Sequence, residues 1–441
     1  MLNSKKIKQV RNYSSCEEYK ILFESDVPPQ EPKRRPKVIV DLTKPLPDTV
    51  KTAGAFFTLA ALSTYYSDTR FTYWDGTARE PRMNAVVVAP SGGLKSFVGR
   101  AIKAILKQIE EEDNENWAID MEYRKEKEAA GNTRTKNRPD VVIRLISPNI
   151  TKPELNQLGA AANGQYLFMH ANETDKLDTL KGGKNGRQHF EILKNADDEE
   201  NTAGQQRAGI NSVSVKYDLR LNYVFEMRPT ELLRFYNGEI INGARDRACF
   251  CTIPPLENKH QWPRGGDFGA EYQQLIAPYI ENVKSAKGEY VYNKALDLIN
   301  HIREAFLEFY DETQDDILEQ ITHRALLRAF RRTMIIYIAG NKQWDPALSK
   351  WIKWSFMYEL WHHYHFFYLE IKNANGQLKV TNQGVPNFLD MLPDEFTLED
   401  VALLYVRIGK TPQKKTIQGI IRTWKNRGHI TISKNICKKV N

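Results

Sequence analysis

The chain has 441 residues, of which 41% are hydrophobic and 27% are charged, and its formal net charge is +8 at pH 7. This length allows two or three domains with substantial cores, and four cysteines are too few for a disulfide-stabilised secreted scaffold. No apolar run reaches the roughly 18 residues of a membrane span, and the basic amino terminus lacks the apolar region of a signal peptide, so we expect a cytoplasmic protein that does not enter a membrane.

The amino-terminal part of the chain begins with a lead segment, residues 1–50. Its proline-rich basic stretch, Val27–Pro36, is predicted to be a linker, because proline does not fit inside a helix or a central strand. After it, the apolar residues of Thr52–Tyr66 predict a helix. Phe71–Trp74 is predicted to be a short strand that ends at a turn.

The next stretch has the pattern of a phosphate-binding loop. A predicted strand, Met83–Val88, is followed by residues 89–96, which read Ala-Pro-Ser-Gly-Gly-Leu-Lys-Ser, and then by an apolar helix. In such loops backbone N–H groups and a helix N-terminus cradle phosphate oxygens, a lysine reaches the β- and γ-phosphates, and a hydroxyl binds Mg²⁺. We therefore expect ATP and Mg²⁺ as cofactors, with Ser96 on the metal and these residues around the nucleotide: Ser91, Gly92, Gly93, Leu94, Lys95 and Ser96.

The loop departs from the motif at both glycine positions. Ala89 and Leu94 stand where the pattern has glycine, and a leucine is costly wherever the backbone needs a positive φ. The alternative interpretation is a strand, turn and helix that carry Lys-Ser by chance. A polar segment, Glu110–Pro139, follows and is predicted to be an exposed helical arm or hairpin.

Strands and helices then alternate, which predicts a parallel sheet covered by helices on both faces. Ligands bind such sheets at the carboxyl ends of the strands, where the loop lies. The predicted strands are Val141–Ile146, Tyr166–Met169, Tyr217–Met227 and Ala248–Ile253, and the predicted helices are Lys152–Ala162, with Thr151 as its N-cap, Arg187–Lys194 and Thr230–Tyr236.

An acidic segment follows the strand Tyr166–Met169. A phosphate loop needs a partner strand that ends in acids, which hold Mg²⁺ and polarise water. Glu173 is the candidate for the water-activating group. Asn172 stands where the magnesium-associated aspartate is expected, and Asp175 is a substitute acid. The alternative is an exposed polar turn after a core strand.

Arginines are the third set of candidates. Arg245 and Arg247 precede a strand, where they could reach the γ-phosphate of a neighbouring subunit, and Arg228 follows a strand at the place of a phosphate sensor. Arg324 and Arg328 lie one helical turn apart and could belong to a lid. The alternative is surface arginines balanced by acids.

The carboxyl-terminal half is helical and then basic. Apolar spacing predicts helices from Glu271 to Ile371, including an aromatic core helix at residues 358–367. Residues 397–441 hold ten Lys and Arg against two acids, in the order of a winged helix with Thr397 as a helix cap. The predicted domains are 51–260, 261–372 and 393–441, after the lead segment 1–50. The residues expected to contact DNA phosphates are Lys414, Lys415, Arg422, Lys425 and Arg427.

In this order of elements, residues 83–371 resemble a family of P-loop ATPases, primase-helicase-like or AAA+-like, encoded beside primases on bacterial phages, plasmids and integrative elements. The resemblance rests on the loop 89–96, the strand that ends at Glu173, the strand before Arg228, the arginine loop 243–250 and the arginine-rich helix 322–337. It implies an α/β P-loop NTPase core, a role in replicating mobile DNA, assembly into a homo-oligomeric ring such as a hexamer, and DNA and primase or other replication proteins as partners.

Three functions remain open on the sequence. The first is a DNA-associated P-loop NTPase, a helicase or replication-type ATPase of a mobile element. The second is a non-catalytic DNA-binding initiator, loader or adaptor that retains a degenerate loop, which the residues Ala89, Leu94 and Asn172 favour. The third, a small-molecule phosphotransferase, explains neither the basic carboxyl terminus nor the long helical region.

Overall fold

The computed structural model describes residues 16–90, 92, 94–130, 138–173, 188–198, 202–205, 215–236, 243–256, 263–313, 315–369, 371, 389, 391–407, 414–426, 428–433 and 436–440. The α-helices are Cys16–Glu24, Lys37–Leu42, Asp48–Ser63, Ser96–Ile105, Lys107–Ala130, Lys152–Ala161, Gln188–Asp197, Pro229–Tyr236, Ala270–Ser285, Asn293–Thr313, Asp316–Ala339, Leu348–His363, Leu398–Arg407 and Lys414–Asn426. A 3-10 turn spans Arg245–Arg247, and a π-helical turn spans Tyr364–Tyr368.

A five-stranded parallel sheet forms the centre of the fold. Its strands are almost wholly buried and rich in Val, Leu and Phe, which is typical of a sheet covered on both faces. The predicted α/β class with a parallel sheet is confirmed. From one edge to the other the strands are Leu145–Ile146, Leu167–Ala171, Leu221–Met227, Asn84–Val88 and Cys249–Thr252.

Three of these strands position the candidate site, and we name them the loop strand (Asn84–Val88), the acid strand (Leu167–Ala171) and the central strand (Leu221–Met227). The central strand lies between the other two. Its Met227 is level with the end of the loop strand, and its Phe225 is level with the end of the acid strand. The chain segments that follow all three strands therefore emerge at the same edge of the sheet.

Helices cover the sheet and extend the core. The helix Asp48–Ser63 packs on the loop strand, the central strand and Cys249–Thr252, and almost all of its residues are buried. The helical region is confirmed by four helices between residues 270 and 363, which pack on one another. A second sheet joins the two regions, because Thr69–Thr72 pairs in parallel with Gly288–Tyr290 and antiparallel with Ala78–Arg79.

The carboxyl-terminal residues form a small unit with a core of its own. Its two helices, Leu398–Arg407 and Lys414–Asn426, pack against a three-stranded antiparallel sheet of Glu395–Phe396, Ile436–Lys439 and Ile430–Ser433. The predicted cap of the first helix is confirmed: the amide of Asp400 donates to the Thr397 hydroxyl at 3.3 Å, and the amide of Thr397 donates to Asp400 Oδ2 at 2.7 Å.

The proline-rich stretch of the lead segment packs on the helix Leu348–His363 instead of spacing two domains apart. Three tryptophans of that helix donate their indole N–H groups to residues 25–31, at the start of this stretch and just before it. Trp351 donates to the Glu31 carboxylate at 3.0 Å, Trp354 to the Pro29 carbonyl at 2.8 Å, and Trp361 to the Ser25 carbonyl at 2.8 Å. The prolines of this stretch have no backbone N–H group to donate. The indole N–H groups instead donate to carbonyl and carboxylate oxygens of residues 25–31.

Several element boundaries differ from those predicted. The strand predicted at 217–227 is two strands, because Val215–Asp218 turns away to form a hairpin with Thr202–Gln205. Only Leu145–Ile146 of the strand predicted at 141–146 pairs in the sheet. The polar segment after residue 110 is helical up to Ala130, and residues 131–137 of it lie outside the described residues.

Candidate nucleotide site at the carboxyl edge of the sheet

The loop after the loop strand turns sharply at two left-handed positions. Gly92 has φ +74°, and a Cβ built on it would meet no atom within 4 Å, so only the backbone conformation demands glycine there. Leu94 has φ +43° although it carries a side chain, which is 8% exposed. A leucine in this region costs about 1–2 kcal/mol, so the substitution of the motif's glycine leaves a strained residue in the loop. Ser91 and Gly93 lie outside the described residues.

Lys95 and Ser96 occupy the N-terminus of the helix Ser96–Ile105, which we name the loop helix. Lys95 is its N-cap, and its ammonium-bearing side chain is half-buried. Ser96 is exposed, so its hydroxyl is accessible to a ligand. The structure thus places the predicted lysine and hydroxyl at the positive end of a helix, where backbone N–H groups favour an anion.

The other predicted groups emerge near the loop on neighbouring strands. Asn172 and Glu173 follow the acid strand directly and are exposed. Arg228 follows the central strand, with its side chain 54% exposed and its Nε 3.5 Å from Glu231 Oε1. Asp175 lies outside the described residues. The carboxyl edge of the sheet therefore brings Lys95, Glu173 and Arg228 to one side of the molecule, as the sequence predicts for parallel strands.

Two residues at this edge escaped the sequence analysis. His170, in the acid strand, and Glu226, in the central strand, meet in a buried pair in which His170 Nε2 lies 2.8 Å from Glu226 Oε1. The Glu226 carboxylate is 2% exposed. The signal that could have found them is a His or a Glu in a mostly apolar strand, one residue before the end of each strand.

The environment of Glu226 combines burial with nearby positive charge. Burial raises the pKa of the Glu226 carboxyl, and the hydrogen bond and charge of His170 and the ammonium of Lys95 oppose that rise without cancelling it. The carboxylate therefore lies close enough to Lys95 to feel its charge. His170 also borders the loop helix, because a Cβ on Gly99 would lie 3.3 Å from His170 Cε1. The pair lies between the sheet and the first turns of that helix.

A cavity of about 510 Å³ opens beside this pair. Its walls come from the loop helix, the acid strand and the loop that follows Leu145–Ile146. His170 lines it, and the side chain of His170 is 25% exposed. The cavity gives solvent access to His170 but does not reach Glu226, which is buried. Its lining residues include Gly99, Ile102, Ser147, Pro148, Phe168 and His170.

The predicted arginine fingers lie at the opposite edge of the sheet. Arg245 and Arg247 precede Cys249–Thr252, which runs parallel to the loop strand, so they lie at the amino ends of the strands. Arg245 is 2% exposed and its Nε donates to Asp246 Oδ1 at 2.9 Å, while Arg247 Nη2 donates to Asp198 Oδ2 at 2.7 Å. In this arrangement neither side chain reaches the molecule's own loop, and their role toward a neighbouring subunit stays a prediction.

The arginines predicted as a lid are part of the same amino edge. Arg324 Nη1 lies 3.5 Å from Asp198 Oδ1. Arg328 is buried, donates to the carbonyl of Asp246 at 2.6 Å and is paired with Glu359. Glu359 also accepts from Arg332 Nη1 at 2.6 Å. This network joins the helical region to the sheet and does not lie over the loop.

The basic helix Lys414–Asn426 has one polar and one apolar face. Its apolar residues Ile417 and Ile421 are buried, and Trp424 packs edge-on against Phe396 at 6.1 Å between ring centroids, so Trp424 belongs to the core of the small unit. The helix contains no acidic residue. Arg427 lies outside the described residues. The predicted phosphate contacts that the structure describes are all exposed: Lys414, Lys415, Arg422 and Lys425.

Comparisons with known proteins add little to this geometry. No protein-family model matches the chain, and no curated protein matches it. Among solved structures the chain is similar to one described as "SCCmec type IV Cch - active helicase", with 12% identity and a TM-score of 0.36 over 92% of this chain and 70% of that one. Nothing about this chain's activity follows from a likeness at that level. In the described part of the chain, no helix is long and apolar enough to cross a membrane.

Proposed function

We propose that the chain is a DNA-associated P-loop NTPase, a helicase or replication-type ATPase that acts in the replication or mobilisation of a phage or other mobile element. The observation that carries this proposal is the position of Lys95 and Ser96 at the N-terminus of the loop helix, on the edge of a parallel sheet where Glu173 and Arg228 also emerge. This is the place where α/β sheets bind ligands, and a helix N-terminus there favours phosphate.

The strand order supports the same proposal. The loop strand and the acid strand are separated by the central strand. Arg228 therefore emerges between the loop and the segment that carries Glu173, so that one bound nucleotide could contact all three groups. In this function Lys95 contacts the β- and γ-phosphates, Glu173 polarises the attacking water, and Arg228 contacts the γ-phosphate. Assembly into a homo-oligomeric ring is part of this proposal, but Arg245 and Arg247 are given no role in it, because their side chains are paired with Asp246 and Asp198 at the amino edge of the sheet.

Magnesium fits the residues at this edge when the nucleotide supplies some of its ligands. No group of three or more His, Cys, Asp or Glu residues that could hold a metal occurs among the described residues. Mg²⁺ usually takes one or two carboxylates and completes its shell with water and substrate phosphates. Ser96 offers an exposed hydroxyl and Asn172 an amide oxygen. When bound, Mg²⁺ would neutralise charge on the phosphates.

The carboxyl-terminal unit is proposed as the DNA-binding part, with a winged-helix arrangement and Lys414–Asn426 as its recognition helix. The supporting observation is a helix whose apolar face is buried in its own core while four basic side chains point to solvent without an acidic neighbour on the helix. Such a face binds DNA phosphates, with an affinity that falls as salt rises.

A second candidate function is a non-catalytic DNA-binding initiator, loader or adaptor. It is favoured by Leu94, which forces a side chain into a left-handed backbone position, and by Asn172, which lacks the charge of an aspartate. The two functions differ in whether the loop binds and hydrolyses nucleotide.

The test measures nucleotide binding and hydrolysis by the wild type and Lys95→Ala, with and without DNA. Thermal stabilisation by ATP and Mg²⁺ should be lost in Lys95→Ala and retained in Lys103→Ala, a control in which an exposed lysine of the same helix is removed. Hydrolysis that needs Lys95 supports the NTPase. Stabilisation without hydrolysis supports the adaptor, and the absence of both in the wild type rejects a nucleotide site.

A further inference from the structure

We propose that Glu226 is the carboxylate that binds the nucleotide's divalent cation at this loop, in the role that the sequence pattern gives to residue 172. The inference rests on the proposed nucleotide site and names the group that completes it. Residue 172 is an asparagine, so the acid strand offers no charge at its first position after the sheet. Glu226 of the central strand nevertheless supplies a carboxylate at about the same height along the strands, one strand nearer to the loop.

The strand register defines that height. Ala171, the last residue of the acid strand, is level with Phe225 of the central strand, so Asn172 leaves the sheet at about the height of Glu226. Glu226 is in turn level with Val87 of the loop strand. Neighbouring strands lie about 4.8 Å apart, so the central strand places its carboxylate about one strand spacing closer to Lys95 and Ser96 than residue 172 is.

One oxygen of Glu226 is held and the other is unused. Oε1 lies 2.8 Å from His170 Nε2, whereas Oε2 is buried and has no hydrogen-bond partner among the described residues. A buried carboxylate oxygen without a partner is costly, and such a group calls for an unseen ligand. His170 acts as a positioning residue, because its bond to Oε1 fixes the carboxylate while leaving Oε2 for the cation.

Charge and access agree with a cation at this point. The positive charge of Lys95 favours the ionised form of Glu226 and so opposes the rise that burial causes in its pKa. The cavity of about 510 Å³ is lined by His170, which in turn contacts Glu226 Oε1. Oxygen ligands are those that Mg²⁺ prefers, and a single protein carboxylate is enough when phosphates supply other ligands.

The test measures how strongly Mn²⁺, as the probe cation, enhances the binding of fluorescent ADP to the full chain, relative to binding in EDTA. Glu226→Gln should reduce this enhancement about 10- to 100-fold while ADP binding in EDTA stays as tight as in the wild type or becomes tighter. Glu111→Gln removes an exposed carboxylate paired with Lys107 and should change nothing. The electron paramagnetic resonance signal of protein-bound Mn²⁺ should weaken in Glu226→Gln in parallel.

Two further variants separate a cation site from a fold defect. Asn172→Asp, added to Glu226→Gln, should restore the enhancement, because it places a carboxylate on the neighbouring segment at about the height of the one that Glu226→Gln removes. His170→Gln should keep more of the enhancement than His170→Ala, because the amide can still donate to Oε1. Melting temperatures without nucleotide show whether any variant is unfolded, and rescue by Asn172→Asp cannot come from an unfolded chain.

The outcomes also separate this inference from the proposed function. If ADP binds and Mn²⁺ enhances it equally in the wild type and Glu226→Gln, the inference is overturned and the nucleotide site stands. The same holds if Asn172→Ala, rather than Glu226→Gln, abolishes the enhancement. If ADP does not bind the wild type with or without Mn²⁺, the nucleotide site is rejected and the inference falls with it.

Discussion

The amide of Ala89 donates a hydrogen bond to the carbonyl oxygen of Met227 at 2.9 Å. This bond continues the parallel ladder one residue beyond the loop strand, so the start of the loop and Arg228 are held on neighbouring strands at one height. The base of the loop is therefore part of the sheet, whereas its tip contains the two left-handed residues.

The first prediction concerns backbone strain at Leu94. Leu94→Ala and Leu94→Gly both remove a buried side chain, which costs about 2–5 kcal/mol for a core leucine. Only glycine adopts φ +43° without strain, so Leu94→Gly should be about 1 kcal/mol more stable than Leu94→Ala, the reverse of the usual order in a helix. Urea unfolding of both variants measures this difference. If alanine is the more stable of the two, Leu94 is not held in the left-handed region.

The second prediction concerns Arg228. Its side chain is half-exposed at the edge where the loop begins, and a charge-assisted bond from arginine to phosphate contributes about 1.5–3 kcal/mol. Arg228→Ala should therefore weaken binding of an ATP analogue about tenfold or more while ADP binding changes little. Arg234→Ala, at an exposed position of the following helix, is the matched control. Equal losses for ADP and the ATP analogue would reject contact with the γ-phosphate.

The third prediction concerns the ion pairs at the amino edge of the sheet. Glu359 is fully buried between Arg328 and Arg332, so Glu359→Ala leaves two buried guanidinium groups with fewer partners. Removing one member of such a network costs about 3–5 kcal/mol. Breaking the exposed pair of Lys107 and Glu111 by Glu111→Ala should cost less than about 1 kcal/mol. Chemical denaturation compares the two, and similar costs would mean that the buried network contributes little.

The fourth prediction concerns pH. Burial lowers the pKa of His362 to about 4 from its ordinary 6.5, and its Nε2 lies 3.1 Å from Thr252 Oγ1. Between about pH 6.5 and pH 4, His362 therefore binds a proton in the unfolded chain but not in the folded chain. Its contribution to the free energy of unfolding is thus fully present above pH 6.5 and is lost as the pH falls toward 4. From about pH 7.5 to about pH 5 this residue accounts for roughly 2 kcal/mol of the loss.

His362→Gln tests this cause directly. The variant should lose less stability than the wild type over the same pH range, although it is less stable at neutral pH because its side chain fits the site less well. His323→Gln, at a half-exposed histidine, is the control and should follow the wild-type curve. Parallel curves for His362→Gln and the wild type would show that another group carries the pH dependence.

The fifth prediction concerns the basic helix Lys414–Asn426. Replacing Lys414, Lys415, Arg422 and Lys425 by glutamine should lower the slope of log K against log salt for duplex DNA by about 0.9 for each phosphate that the helix no longer neutralises. The control is Lys438→Gln, whose ammonium lies 2.9 Å from Glu395 Oε1. Because that charge is already paired, its removal should leave the slope almost unchanged. A quadruple variant with the wild-type slope would place DNA binding elsewhere.

The sequence allowed the sheet and its edge to be predicted, because apolar strands that alternate with helices leave few arrangements. It also allowed the caps at Thr151 and Thr397 to be predicted, since capping depends on local side-chain geometry. The order of strands was not predictable, because periodicity carries no information about which strands are neighbours. The break before Leu221 was missed, since apolar and charged residues alternate through it in the pattern of a single strand.

The pair of His170 and Glu226 shows the same limit at the site. Each residue alone is an ionisable group in an apolar strand, and the two are 56 positions apart along the chain. Only the register of two strands that are neighbours in the sheet shows that they meet. The sequence predicts where Lys95 and Glu173 lie, because each follows a single recognisable strand. It does not predict contacts between residues of different strands.

The tryptophan contacts to residues 25–31 bear on where this chain can be cut. A shortened protein that began at Lys37, after the proline-rich stretch, would leave the indole N–H groups of Trp351, Trp354 and Trp361 without their acceptors and would uncover the aromatic face of their helix. The domain boundary for expression or crystallisation therefore lies on the amino-terminal side of Ser25, and the prolines belong to the folded body.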